Sequence, residues 1–133
     1  MSLMTLLYIS QPFGFDVPTL NGILLDARRC NKRDDITGTL IVRQDIYMQL
    51  LEGPRKAVEK AYLRIRQDDR HTDVRSVRRL DTGTRLFADW AMRDDPVRSW
   101  MWSRDDVASG APEAASDQDL MNIFRRVRLS LPV

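Results

Sequence analysis

Apolar residues fill nearly every position of MTLLYIS (4–10), without the polar alternation of a half-buried strand. That is the pattern of a strand covered on both faces. QPFGFDVP (11–18) follows as a loop broken by Pro12, Gly14 and Pro18. Pro18 also suits the first turn of a helix. From there Leu20, Ile23, Leu24, Ala27 and Cys30 recur at helical spacing through about residue 31. Residues 36–42 and 46–51 are short strands around RQD (43–45), a tight hairpin in which Asp45 tolerates a left-handed backbone. Gly53-Pro54 opens a second helix whose inner face is Ala57, Val58, Ala61, Tyr62 and Ile65. It ends over Asp68 to His71. Two further strands are predicted at 73–81 and 85–92, the first so charged that it belongs near a sheet edge.

The resulting order, β-α-β-β-α-β-β, predicts an α+β fold: a ferredoxin-like sandwich of two helices over a mostly antiparallel sheet. Its first and third strands are neighbours, which brings Tyr8 beside Gln49. After Met92 the character changes. GAPEAAS (110–116) is a low-complexity linker, and DQDLMNIFRRVRLSL (117–131) is a helix. Ser116 is its N-cap, and Leu120, Ile123, Phe124, Val127 and Leu131 lie along one face. Two C-terminal helices over 97–131 are expected to pack on the free face of the sheet or on a partner, and Trp100, Met101 and Trp102 need cover. The expected division is a domain at 1–93 and a helical extension at 94–133, too short for an effector domain.

Bulk properties narrow the class. At 133 residues, 43% hydrophobic and 30% charged, the chain supports one globular domain with a real core. No apolar run approaches the roughly 20 residues needed to span a bilayer, and MSLMTLL lacks the basic start of a signal peptide. Cys30 is the only cysteine, so neither an internal disulfide nor a thiolate-rich metal site can form. These features fit a cytoplasmic protein. The net charge of +2 is small, and acids interleave with the arginines of 28–33, 64–79 and 125–128. Such interleaving is the mark of a solvated face and argues against nucleic acid as a partner. A hydrolase of the acylphosphatase type would need a glycine loop near its arginines, and none is present.

Three polar residues sit where a core wants apolar ones: Tyr8 in the first strand, Gln49 in IYMQLLEG (46–53), and Asn31 at the end of the first helix. Each costs about 1–3 kcal/mol if buried without hydrogen bonds, so together they point to a shared polar ligand. Taken singly, Tyr8 is a core tyrosine with a satisfied hydroxyl, Gln49 an outward-facing strand residue and Asn31 a helix C-cap. Arg64 and Asp68 stand at i and i+4, a spacing that allows an ion pair. His71, the only histidine, is a structural hydrogen bonder at the helix end.

With these residues in place, the chain resembles the BLUF family of blue-light sensors that bind a flavin. The ordered motifs are LLYIS (6–10), Asn31, ITG (36–38), MQLLEG (48–53), RIRQDDRH (64–71) and RLFADWAM (85–92). The resemblance covers residues 4–93. It implies FAD as cofactor, although the arginines would suit the phosphate of FMN as well, and a flavin ring lying between the two helices. Asn31 would hold the polar edge of the ring, and Ile23, Ile36 and Ile65 its apolar faces. Arg64 would hold the polar rim or side chain, with Asp68 and His71 nearby.

Tyr8 and Gln49 would be the photochemical pair. The resemblance implies that Tyr8 would give an electron to the excited flavin, its proton would pass through the Gln49 amide, and the rearranged amide would shift the absorption to the red. Trp90 and Met92, alternating with Ala88, would compete for a place next to Gln49 on a strand lying beside the first. Ala27 and Cys30 depart from larger or more polar residues frequent at these ring-contacting positions, and Asp35 from a frequent glycine. The expected function is that of a non-enzymatic receptor signalling to a separate protein, with a second copy of the chain as another partner for the C-terminal surface. The rival is a ferredoxin-like regulatory module that binds a protein partner without a cofactor.

Overall fold

The computed structural model describes residues 3–12, 17–43, 46–67, 71–87, 93–96 and 102–130. Its elements run β1 (Leu3–Pro12), α1 (Val17–Asp34), β2 (Thr37–Arg43), β3 (Ile46–Pro54), α2 (Arg55–Arg66), β4 (His71–Thr82), β5 (Arg93–Pro96), α3 (Arg104–Ala108), α4 (Ala111–Ala114) and α5 (Asp117–Ser130). The strands form one sheet in the order β4-β1-β3-β2-β5. All pairings are antiparallel except β2 with β5. This is the predicted α+β arrangement, with the charged β4 at an edge.

The uninterrupted apolar runs of β1 and β3 follow from cover on both faces. On one face Met4, Leu6, Tyr8, Tyr47 and Leu51 pack with Leu24 of α1 and Val58, Ala61 and Tyr62 of α2. On the other, Leu7, Ile9, Ile41, Met48 and Leu50 pack with Val107 of α3 and Leu120, Phe124 and Val127 of α5. The C-terminal helices therefore cover the second face of the sheet. Ser116 caps α5 as expected: its Oγ accepts from the Asp119 amide at 3.1 Å, and the Asp119 carboxylate accepts from the Ser116 amide at 3.4 Å. Arg78 and Arg79 of β4 reach opposite layers. Arg79 pairs with Glu59 on α2, and Arg78 with Asp117 at 3.3 Å and the Ala115 carbonyl at 3.1 Å.

Several expectations are corrected. GAPEAAS is not an open linker, since Ala111–Ala114 form a helical turn, and the described residues of the C-terminal region form three helices instead of two. The predicted strand at 85–92 is not one over Arg85–Phe87; the rest of that prediction lies outside the described residues, and the next described strand is Arg93–Pro96. The predicted neighbour of the first strand is also corrected: both edges of β1 are taken by β3 and β4, and the last described strand, β5, lies beside β2. His71 is the first residue of β4, across from Pro12, and does not end a helix; α2 ends at Arg66. Asp45, Asp68, Trp90, Met92, Trp100, Met101 and Leu131 lie outside the described residues.

The turn from α1 into β2 accounts for ITG. Asp35 has φ 60°, the left-handed conformation that ends many helices, and the Ile36 amide donates to the Asn31 carbonyl at 2.8 Å. An aspartate tolerates this geometry, which explains how it stands where glycine is frequent. Three residues on, a Cβ at Gly38 would run into the Leu50 carbonyl oxygen. Strand β3 cannot yield there without losing ladder bonds. Gly38→Ala should therefore destabilise the fold by about 3 kcal/mol, read as a fall in the urea midpoint at unchanged slope.

Candidate functional site

Tyr8 and Gln49 are direct partners in the β1–β3 register. Side chains alternate along a strand, and Gln49 lies between Tyr47 and Leu51, both in the cluster beneath α1 and α2. Gln49 thus shares the helix-side face with Tyr8. The Tyr8 hydroxyl donates to Gln49 Oε1, with Tyr8 1% and Gln49 3% exposed. The Tyr62 ring of α2 stands 6.0 Å from that of Tyr8, tilted by 51°. The guanidinium groups of Arg66 and Arg79 lie 5.9 and 5.5 Å from the Tyr62 ring.

Asn31 lies in the last turn of α1 and is 2% exposed. The left-handed cap belongs to Asp35, so Asn31 is not the capping residue, and its side chain is buried on the same side of the sheet as the Tyr8–Gln49 pair. Ile36 is buried in the helix-side cluster, and Ala27 and Ile65 pack against it. Cys30 is a half-buried thiol one residue before Asn31. Ile23 lies on α1 one turn before Ala27, and only its backbone is described, as is that of His71. Between α1 and α2, Arg33, Asp34, Lys60, Leu63, Arg64 and Gln67 line a cavity of about 530 Å³.

Arg64 pairs with Asp34 of α1 at 3.6 Å, an ion pair that sequence spacing on α2 could not reveal. Asp34 also accepts two hydrogen bonds from Arg33, at 2.9 and 3.1 Å. The hydrogen bond from Arg33 does most to hold its carboxyl below the usual carboxylate range; burial opposes it, and the charges of Arg33, Arg64 and Lys60 each add a smaller lowering.

One buried carboxylate went unassigned by sequence reasoning. Glu52, of LLEG, is 1% exposed. It accepts from the Leu86 amide at 2.8 Å, the Phe87 amide at 2.7 Å and Thr37 Oγ1 at 2.9 Å. Its only signal in the sequence is a charge closing an apolar run.

The geometry is therefore a buried Tyr–Gln pair on the sheet, a buried amide on one covering helix and apolar side chains from both helices. A model of the family described as sensors of blue-light using FAD matches residues 3–93. The chain belongs to the BLUF family. Among curated relatives of this BLUF protein, it is 42% identical over 93 residues to the photoactivated adenylate cyclase subunit beta of Euglena gracilis. That match covers 68% of this chain and 11% of the relative, so the chain spans about a ninth of that protein's length. The alpha subunit from the same organism is 44% identical over 79 residues, 56% of this chain and 8% of the relative. Among solved structures, BlrB, a BLUF protein in its dark state, is 26% identical, with 98% of each chain covered and a TM-score of 0.76. BlsA in its photo-activated state has a TM-score of 0.83 at 22% identity, also over 98% of each chain, a likeness of fold.

The donor set of this BLUF domain fits a flavin. The isoalloxazine ring is apolar on both faces and carries alternating carbonyls and ring nitrogens along one edge. Carboxamides, which donate from one end and accept at the other, match that edge. Asn31 and Gln49 are two buried carboxamides, and Ile36, Ile65 and Ala27 are apolar side chains in or against the same helix-side cluster.

Proposed function

We propose that this protein is a blue-light photoreceptor that binds FAD and signals to a separate partner protein. The observation that carries this reading is the Tyr8–Gln49 hydrogen bond, buried on the face that α1 and α2 cover. Asn31 would hold the polar edge of the ring, and Ile23, Ala27, Ile36 and Ile65 its faces, with Cys30 at the margin. Arg64, tied to Asp34, would stand at the rim with Asp68 and His71. FMN fits the same ring site and differs only beyond its single phosphate.

Bound flavin supplies the absorption of blue light and, once excited, a strong oxidant. Tyr8 would be the residue that loses an electron, because a phenol is oxidisable once its proton has an acceptor. That acceptor is Gln49 Oε1, to which the hydroxyl already points. Once electron and proton have returned to Tyr8, the Gln49 carboxamide would be left rotated or tautomerised, with a donor N–H or O–H turned to where a bound flavin would offer a carbonyl. One hydrogen bond exchanged in a buried site is enough to bias an element whose two states differ by a few kcal/mol. Trp90 and Met92 would be among the first groups to respond.

The purified protein should be yellow. Blue illumination should move its flavin absorption to the red, and the shift should decay in darkness. A colourless protein that cannot be reconstituted with FAD would instead support a cofactor-free regulatory module.

Residues 1–93 would be the sensor and 94–133 the cap that carries its output. Support comes from the apolar face of α5, where Leu120, Phe124 and Val127 are buried against the sheet. A truncation after Met92 would therefore expose a core face and report on stability instead of signalling. The outer surface of the cap remains for a partner protein or a second copy of the chain. The cyclase activity named for the Euglena relatives belongs to those proteins, and the sensor itself would act as a non-enzymatic switch. No helix among the described residues is long and apolar enough to cross a membrane.

A further inference from the structure

Strand β3 presents Gln49 to one face of the sheet and Glu52 to the other. The Glu52 carboxylate joins three pieces of chain: its own strand, Thr37 at the start of β2, and the Leu86 and Phe87 amides of the segment after β4. Arg85 closes the same junction from outside. It donates to Thr37 Oγ1 at 2.9 Å, the Glu52 carbonyl at 3.4 Å and the Asp35 carbonyl at 2.9 Å, and it pairs with the Asp35 carboxylate at 3.1 Å. The junction is more than a loop anchor because of what it holds. Phe87 is fully buried in the cluster that contains Val107, Leu120 and Phe124 of the C-terminal helices. The chain then continues through Trp90 and Met92 into β5, which pairs with β2.

We propose that Glu52, with Arg85, is a positioning residue for the output of the light reaction, coupling the strand that carries Gln49 to Phe87 and so to α3–α5. This rests on the photoreceptor reading above. Hydrogen bonds from amides to a carboxylate are short, directional and roughly twice as strong as neutral ones. A change in β3 at Gln49 is thus passed to the Phe87 backbone instead of being absorbed in a slack turn. A close-packed core leaves Phe87 no room to move alone, so the helices beside it must adjust.

The test is hydrogen exchange on the flavin-loaded full chain, dark and under blue light, for the wild type and Glu52→Gln. The glutamine keeps the shape but replaces one acceptor oxygen with an NH2 that opposes an amide N–H. The expected result is an unchanged spectral red shift and dark-state protection, with loss of the light-minus-dark difference over 104–130. A merely structural role would raise exchange in both states alike, which would overturn the proposal. So would a Glu52→Gln protein that transmits the full light difference. Should Glu52→Gln fail to fold, Arg85→Met cuts the outer ties and should reduce the same difference, and an unreduced difference there overturns the proposal. A wild type with no spectral response to light overturns the photoreceptor reading and the coupling together, whereas a wild-type response that the variants transmit in full overturns the coupling alone.

Discussion

Tyr8→Phe should leave the flavin bound and abolish its light-induced red shift. The ring of residue 8 stays in the helix-side cluster, so the apolar contacts of the site survive. What disappears is the hydroxyl that donates to Gln49 Oε1. Phenylalanine has no acidic proton, so loss of an electron cannot be coupled to proton transfer, and the carboxamide has no cause to rearrange. Binding and response are thereby separated: absorbance reports the bound flavin, and the light-minus-dark spectrum reports the switch. A Tyr8→Phe protein that photocycles normally would sink the proposed mechanism. The substitution also takes a donor from the buried Gln49 oxygen, at a cost of about 1–3 kcal/mol to the fold.

Gln49→Leu should have the second large effect, and part of it is measurable without flavin. The leucine fills similar space between Tyr47 and Leu51 but lacks the oxygen to which the Tyr8 hydroxyl donates. The red shift should vanish as completely as in Tyr8→Phe, because no carboxamide remains to reorient. Stability supplies the independent measurement. Each single variant leaves half of a buried pair behind, whereas the double variant removes both halves. The two losses should therefore not add, and a urea double-mutant cycle on the flavin-free protein should give a coupling of about 0.5–3 kcal/mol. Additive losses would mean that Tyr8 and Gln49 are not energetically paired and would remove the basis for a proton relay between them.

How much was legible beforehand depends on how local each feature is. The apolar runs of β1 and β3, the helical spacing of α1 and α2 and the Ser116 cap each sit within a short window, and the sequence located all of them. The parallel strand β5 is RDDP, which has little intrinsic preference for a strand; its conformation comes from the backbone of β2 beside it. Ala111–Ala114 resembled a linker because a single helical turn is too short to show a period. Glu52 went unassigned because the Leu86 and Phe87 amides it accepts from are over thirty residues away and reach it only in the fold. Arg64 was matched with Asp68 on its own helix, but its described partner, Asp34, lies on the other helix and becomes a neighbour only when both pack on the sheet.

From sequence alone came the α+β class, the order of the first six elements, the polar trio Tyr8, Asn31 and Gln49, and the family resemblance that gives the trio a ligand. The tertiary structure decided that Tyr8 and Gln49 are direct partners on one face, that Asp35 and not Asn31 caps α1, that α5 covers the second face, and that Glu52 joins β3 to Phe87. The physical reason is the range of the information. Periodicity records which side of an element is buried, whereas register, strand neighbours and the partner of a buried charge are set by residues far apart in sequence.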